Sequence, residues 1–343
     1  MEMDETAKRL FRAIKQPHEL PRRILKYLFL FNIKRIERVV ESAYKKPEGI
    51  DHQRIKKAAA IAYGVYKRKS LTRAHAKAFL WAVGTAKLNL FKKDINLNLG
   101  AAPIGFGQLK VGCSTTSGYS AHVYLQGCDD VVLFRMFERL VSPGASAIDV
   151  GANIGIHTCV LSKCVGEQGV VYAYEPVKAN VRDLKSNLQI NQITNVVVRD
   201  VGVGSQAGSV PFHFTEDNDF NKGMSRYDPD AKRTIPVVAL DDDLQSIENI
   251  ALIKIDVEGM ELDVIKGSRD LLGKHRPYLV VELNQNDWSL SDLAELLPYK
   301  HRVFMKPFDL TGKWQPVEDC DTSLLPDPWD ILVVPDDKMD MLN

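Results

Sequence analysis

The chain has 343 residues, 45% apolar and 26% charged, ordinary globular values that exclude a largely disordered or collagen-like polypeptide. A net charge of +1 conceals two opposed halves: residues 1–110 carry 24 Lys+Arg against 9 Asp+Glu, and residues 111–343 carry 21 against 35. That length and asymmetry predict two domains, a basic one over 1–110 and an acidic one over 111–343.

The opening residues, MEMDETAKRL, lack an apolar stretch with a small-residue cleavage site, so no secretory signal is expected. No apolar run reaches the roughly 18 to 20 residues that span a bilayer. The basic part reads as mainly helical: Ile55, Ala59, Ala62 and Tyr66 recur at helical spacing, and Thr72 can cap a following helix. Its blocks Arg22-Arg23, Lys56-Lys57 and Lys67-Arg68-Lys69, interleaved with Tyr27, Tyr63 and Trp81, could follow a phosphate backbone or form solvated helix faces. Glycines 100, 105, 107, 112 and 118 then punctuate short strands, and residues 131–140 read as a helix ended by Pro143-Gly144. Beyond Gly144, strands at 147–150, 170–174, 196–201, 251–255 and 278–281 alternate with helices at about 154–165, 178–190, 260–272 and 290–297. Such alternation predicts an α/β, doubly wound parallel sheet. Two last apolar runs, 302–305 and 331–334, form a candidate terminal antiparallel pair. Five cysteines (113, 128, 159, 164 and 320) without a C-x-x-C pair argue against disulfides or a zinc ribbon and for a reducing cytoplasm.

Two constellations carry chemistry. Asp149-Val-Gly151-Ala-Asn153-Ile-Gly155 ends the first strand of the sheet and opens a helix, where ligands of doubly wound sheets bind. Glu175 ends the next strand, placed to accept hydrogen bonds from ribose hydroxyls. A dinucleotide would require G-x-G-x-x-G, but Asn153 and Ile156 occupy the second and third glycine positions. S-adenosylmethionine has ribose and no phosphate, and its positive charge suits an acidic loop. In Lys254-Ile-Asp256-Val-Glu258-Gly-Met-Glu261, Asp256 and Glu258 face the same crevice and could orient a hydroxyl, act as general base or hold Mg²⁺. Glu261 reads as a solvated first-turn acid, and Lys254 as a strand residue at an edge or paired with a carboxylate.

These stretches, with Tyr174-Glu175-Pro176, the series Asn180, Leu184, Asn187 and Asn191, Asn221-Lys-Gly-Met-Ser225 and Pro277-Tyr-Leu-Val-Val-Glu282, resemble the FkbM-type S-adenosylmethionine-dependent methyltransferases from about residue 140 to 334. The resemblance implies a Rossmann-like class I methyltransferase sheet of seven strands, the last pair antiparallel, and usually O-methylation of sugars or secondary-metabolite hydroxyls. It also implies that Asp149, Gly151, Asn153 and Gly155 line the donor's methionine end, that Glu175 holds its ribose, and that Asp200 lies near its adenine. Asp256, Glu258 and Glu282 would ring the acceptor side. The family often has a histidine two residues after that last acid; here the position is Asn284.

His157, just past the glycine turn, is a candidate proton acceptor, although a histidine so placed more often caps or packs at the helix start. Residues 202–235 read as an insertion whose Phe220, Asn221 and Met224 could close over the acceptor. The expected activity is methyl transfer to a hydroxyl on a carbohydrate or small polar metabolite. The competing readings are an RNA ribose methyltransferase gripping nucleic acid through the basic region, and a silent binding module; homo-oligomerisation is left open.

Overall fold

A computed structural model describes residues 98–104, 106–114, 123, 130–215, 225–283, 289–305, 314–319 and 329–342. These belong to the second of two compact units into which the chain divides, Asn96–Asn343. The expected basic helices, the 220–224 lid residues including Asn221, and Asn284 lie outside the described residues.

The unit opens with an antiparallel hairpin, β1 (Asn98–Pro103) and β2 (Lys110–Ser114), and helix α1 (Val131–Leu140) follows. The domain boundary expected at 110 falls inside this hydrogen-bonded hairpin, both strands of which lie in the second unit. Then come β3 (Ser146–Val150), α2 (Ile156–Val165), β4 (Val170–Tyr174), α3 (Lys178–Ile190) and β5 (Val196–Arg199). A smaller ladder interrupts the alternation: β6 (Gly202–Val203), β7 (Gly208–His213), β8 (Arg226–Tyr227) and β9 (Thr234–Val238). The series resumes with α4 (Leu240–Asp243), β10 (Ile250–Ile255), α5 (Glu261–Lys266), α6 (Arg269–His275), β11 (Tyr278–Leu283) and α7 (Leu290–Leu296). Strands β12 (His301–Met305), β13 (Gln315–Pro316) and β14 (Trp329–Pro335) finish it.

The main sheet runs β13-β12-β14-β11-β10-β3-β4-β5. Strands β11, β10, β3, β4 and β5 are parallel, and β14 is antiparallel to both β11 and β12. This is the class I methyltransferase sheet, with the two-residue β13 added at one edge. Its centre is buried on both faces: Ala147, Ile148, Leu252, Ile253, Leu279 and Val281 have no accessible surface. Each Ile, Leu or Val so buried contributes roughly 1.5–3 kcal/mol.

Two sequence expectations change. The strand expected to reach 201 stops at Arg199, so Asp200 stands exposed just beyond the end of β5. The helix expected over 260–272 is two helices. Gly267 lies so close to the Gly204 carbonyl that a Cβ there would meet it, and Asp241 starts α6 anew by accepting the Asp270 and Leu271 amides.

Gly151 joins the central strands. Its φ is +79°, and a Cβ would stand 1.7 Å from the Asp256 carbonyl oxygen at the end of β10. Gly151→Ala is expected to cost about 4 kcal/mol or more. Gly144→Ala, at φ +84° in open space, should cost only the left-handed penalty of about 1–2 kcal/mol. Urea unfolding of both variants checks this; equal midpoints would refute the close-approach argument.

Candidate active site

The glycine turn is held from within. Gly151 and Ala152 both donate their amides to the Tyr174 carbonyl, Asn153 donates to Glu175 Oε2 at 2.8 Å, and Gly155 donates to the Ala152 carbonyl. Asn153 adopts φ +50°, a conformation asparagine tolerates better than most residues. Those four amides are committed, and the Glu175 carboxylate beside the turn suits a ribose-bearing ligand.

Glu175 is buried and accepts three hydrogen bonds. Oε1 takes the Val177 amide at 2.9 Å and Asn180 Nδ2 at 3.2 Å, and Oε2 takes Asn153. A carboxylate has about four acceptor positions, so the room left for a ribose hydroxyl lies chiefly on Oε2. Burial pushes the Glu175 carboxyl up to about 7; the three donors oppose that rise, and nearby Asp149 adds to it. Next to it, Tyr174 donates its hydroxyl to Asp243 Oδ2 at 2.6 Å, and Arg199 Nε binds the same oxygen at 3.1 Å. That triad ties the ends of β4 and β5 together beside Glu175 and Asp200.

Lys254 is the centre of the site. It faces Asp149 across the β3–β10 register, and both side chains are buried. Its Nζ lies 3.5 Å from Asp149 Oδ1 and 3.1 Å from Asp256 Oδ2. Burial alone would lower the lysine's affinity for its proton, but Asp256 and Asp149 more than reverse this and hold it above the usual lysine range. Asp149 also accepts a 2.6 Å hydrogen bond from Thr158 Oγ1. One buried ammonium thus links the acid ahead of the glycine turn to the acid that follows β10.

Asp256, Glu258 and Glu282 each bring one carboxylate oxygen within 4.8 Å of the others. Glu258 stands at φ +56° in the turn after β10 and projects outward. Crowding by surrounding atoms, then Asp256 and Glu261, raise its carboxyl to about 7. Glu282, at the end of β11, lies far above the usual carboxylate range through burial and repulsion from Asp256, Glu258 and Asp330. Such a trio could share protons or hold a divalent cation.

Two side chains differ from the sequence reading. Glu261 is buried, not solvated: its Oε1 accepts the Gly259 amide at 3.2 Å and the Val257 amide at 3.4 Å, so it braces the turn that carries Glu258. His157 is turned onto α1. Its ring stands edge-on to Phe134 and Phe137, with centroids 5.7 and 6.0 Å away, and its Nε2 is 3.4 Å from Asp130 Oδ2. This environment is one of helix packing, so the proton-acceptor role expected of it has no geometric support. Lys254, Thr158 and Glu261 were under-read because each acts through partners distant in sequence or hidden by burial.

Residues 149–304 match the family model of the Methyltransferase FkbM domain. The chain carries an FkbM-type methyltransferase domain. Among curated proteins it is similar to Methyltransferase 1 of Beauveria bassiana, 24% identical over 52% of this chain and 77% of that protein. It is also similar to the Hexuronic acid methyltransferase AglP of Haloferax volcanii, 27% identical over 49% of this chain and 72% of that protein. A solved Methyltransferase FkbM from Methylobacillus flagellatus KT is 19% identical, with a TM-score of 0.38. That overlap covers 63% of this chain and only 54% of the solved one. The match supports an S-adenosylmethionine-dependent methyltransferase.

The raised Glu175 carboxyl sets a pH dependence. Because the folded value exceeds the ordinary 4.5, Glu175's contribution to stability is present below about 4.5 and is lost as pH rises through about 7. Ribose hydroxyls need the ionised form, so donor affinity moves the other way. S-adenosylhomocysteine should bind about tenfold more tightly at pH 8 than at pH 6, with Glu175→Gln weak and flat across that range. Calorimetric titration checks this; an unchanged pH profile in the glutamine variant would contradict it.

Proposed function

We propose that this domain transfers a methyl group from S-adenosylmethionine to a hydroxyl of a carbohydrate or other small polar metabolite. The observation that carries the reading is the group of acids at the carboxyl ends of β10 and β11, next to the donor turn, with Asp256 held by a buried lysine. The similarity to a hexuronic acid methyltransferase supports the acceptor class.

S-adenosylmethionine, when bound, supplies a methyl group already activated by a cationic sulfur. The residues of the chain therefore need only align the acceptor and take its proton. Glu175 holds the ribose through Oε2, and Asp149, Gly151, Asn153 and Gly155 line the methionine end, with Asp200 toward the adenine. Asp256 receives the hydroxyl proton: Lys254 occupies its Oδ2, which leaves Oδ1 toward the acceptor. Glu258, raised by partial desolvation and by Asp256 and Glu261, and Glu282, raised by partial burial and by Asp256 and Glu258, can donate hydrogen bonds to the acceptor's other oxygens near neutral pH. Asn221 and Asn284 complete the proposed acceptor-side set. A divalent cation between Asp256, Glu258 and Glu282 would replace those shared protons. The buried, unpaired Cys159 and Cys164 suit a reducing cytoplasm. Among the described residues no helix is long and apolar enough to cross a membrane.

Incubation of the full chain with methyl-labelled S-adenosylmethionine and cell extract, followed by fractionation, tests the acceptor class. Label is expected in glycan or small metabolites, indifferent to salt and to a metal chelator. Asp256→Asn should reduce the rate by about 10² or more. Label in RNA that falls steeply with ionic strength would overturn the proposed acceptor, and chelator-sensitive transfer would assign the acid trio to a metal.

A further inference from the structure

The donor turn is braced from the side opposite Glu175 by one carboxamide. Asn187, on α3, is buried, and both ends of its side chain are engaged. Nδ2 donates to the Ile154 carbonyl at 2.7 Å, and Oδ1 accepts the Gly112 amide of β2 at 2.7 Å. The Ile154 carbonyl lies between the left-handed Asn153 and Gly155, where α2 has not yet begun and no helical amide is positioned to satisfy it. One turn earlier on α3, Leu184 closes over Gly155 so tightly that a Cβ there would come within 2.8 Å of Leu184 Cγ. The 153–155 backbone is therefore fixed at three successive residues: Asn153 by Glu175, Ile154 by Asn187 and Gly155 by Leu184.

Resting on the donor site read above, we propose that Asn187 is a positioning residue for S-adenosylmethionine. It acts through the Ile154 carbonyl to hold Asn153 and Glu175 in binding register, and it anchors that turn to β2. Its neighbour Asn191 supplies an internal contrast. Asn191 also grips the hairpin, accepting the Lys110 amide at 2.9 Å and donating to the Lys110 carbonyl at 2.7 Å, but none of its hydrogen bonds reaches the donor turn. If Asn187 served only to dock the hairpin, both asparagines would affect the protein alike. If it positions the turn, only Asn187 should govern donor affinity.

The test is equilibrium binding of S-adenosylmethionine and S-adenosylhomocysteine to the full chain, with thermal melting run in parallel. Asn187→Asp keeps the acceptor for Gly112 and sets an oxygen against the Ile154 carbonyl. It should weaken both ligands about tenfold or more at a temperature where the variant is fully folded. Asn191→Ala should lower the melting temperature and leave both affinities within about twofold of the parent chain. The proposal is overturned if Asn187→Asp lowers only the melting temperature, or if Asn191→Ala weakens binding as much. Should Asn187→Asp not fold, Asn187→Ser is measured by the same criterion. A parent chain that binds neither ligand would instead refute the reading of the donor site.

Discussion

The buried Lys254 is the constraint around which the rest of the site is arranged. An ammonium group without accessible surface is stable only with compensating charge, and here the compensation comes from two acids belonging to the ends of two different strands. Asp149 lies at the end of β3, ahead of the glycine turn, and Asp256 directly follows β10. Parallel pairing sets Lys254 opposite Asp149, and the Asp256 amide bonds to the Val150 carbonyl immediately above. The contact of Gly151 with the Asp256 backbone closes the same seam. The glycine turn and Asp256 are thereby held at a separation set by sheet geometry, the fixed spacing that the proposed transfer requires.

Around that seam, carboxylates take distinct roles according to what surrounds them. Glu175 is buried but collects three N–H donors. Glu282 is half-buried amid other acids and resists ionisation. Glu261 is buried and serves the backbone of its own turn, while Asp256 carries the lysine. Four acids of similar intrinsic strength are thus differentiated by burial, hydrogen bonding and neighbouring charge.

Much of this was legible beforehand. The parallel strands announced themselves as short apolar runs, because a strand covered on both faces cannot alternate; α3 and β4 begin and end where the pattern indicates. The positions of Glu175 and the Asp149–Gly155 turn at strand ends were legible because the apolar runs before them mark where each strand stops. The break at Gly267 was not, since the new start at α6 depends on Asp241, 29 residues before the Asp270 amide it accepts. Nor could the orientation of His157 be read, because it depends on α1 packing across α2 and enclosing the ring between Phe134 and Phe137.

The sequence by itself determined the alternation of strands and helices, the family, and which residue types stand at each strand end, because these follow from local periodicity and ordered motifs. Tertiary structure decided which of those residues meet. A lysine inside an apolar strand is ambiguous until the register sets it between Asp149 and Asp256, and an asparagine in a helix is ambiguous until Gly112 and Ile154 approach it from two other elements. Hydrogen bonds and ion pairs act over a few ångströms, and only folding brings groups so far apart in the chain within that reach.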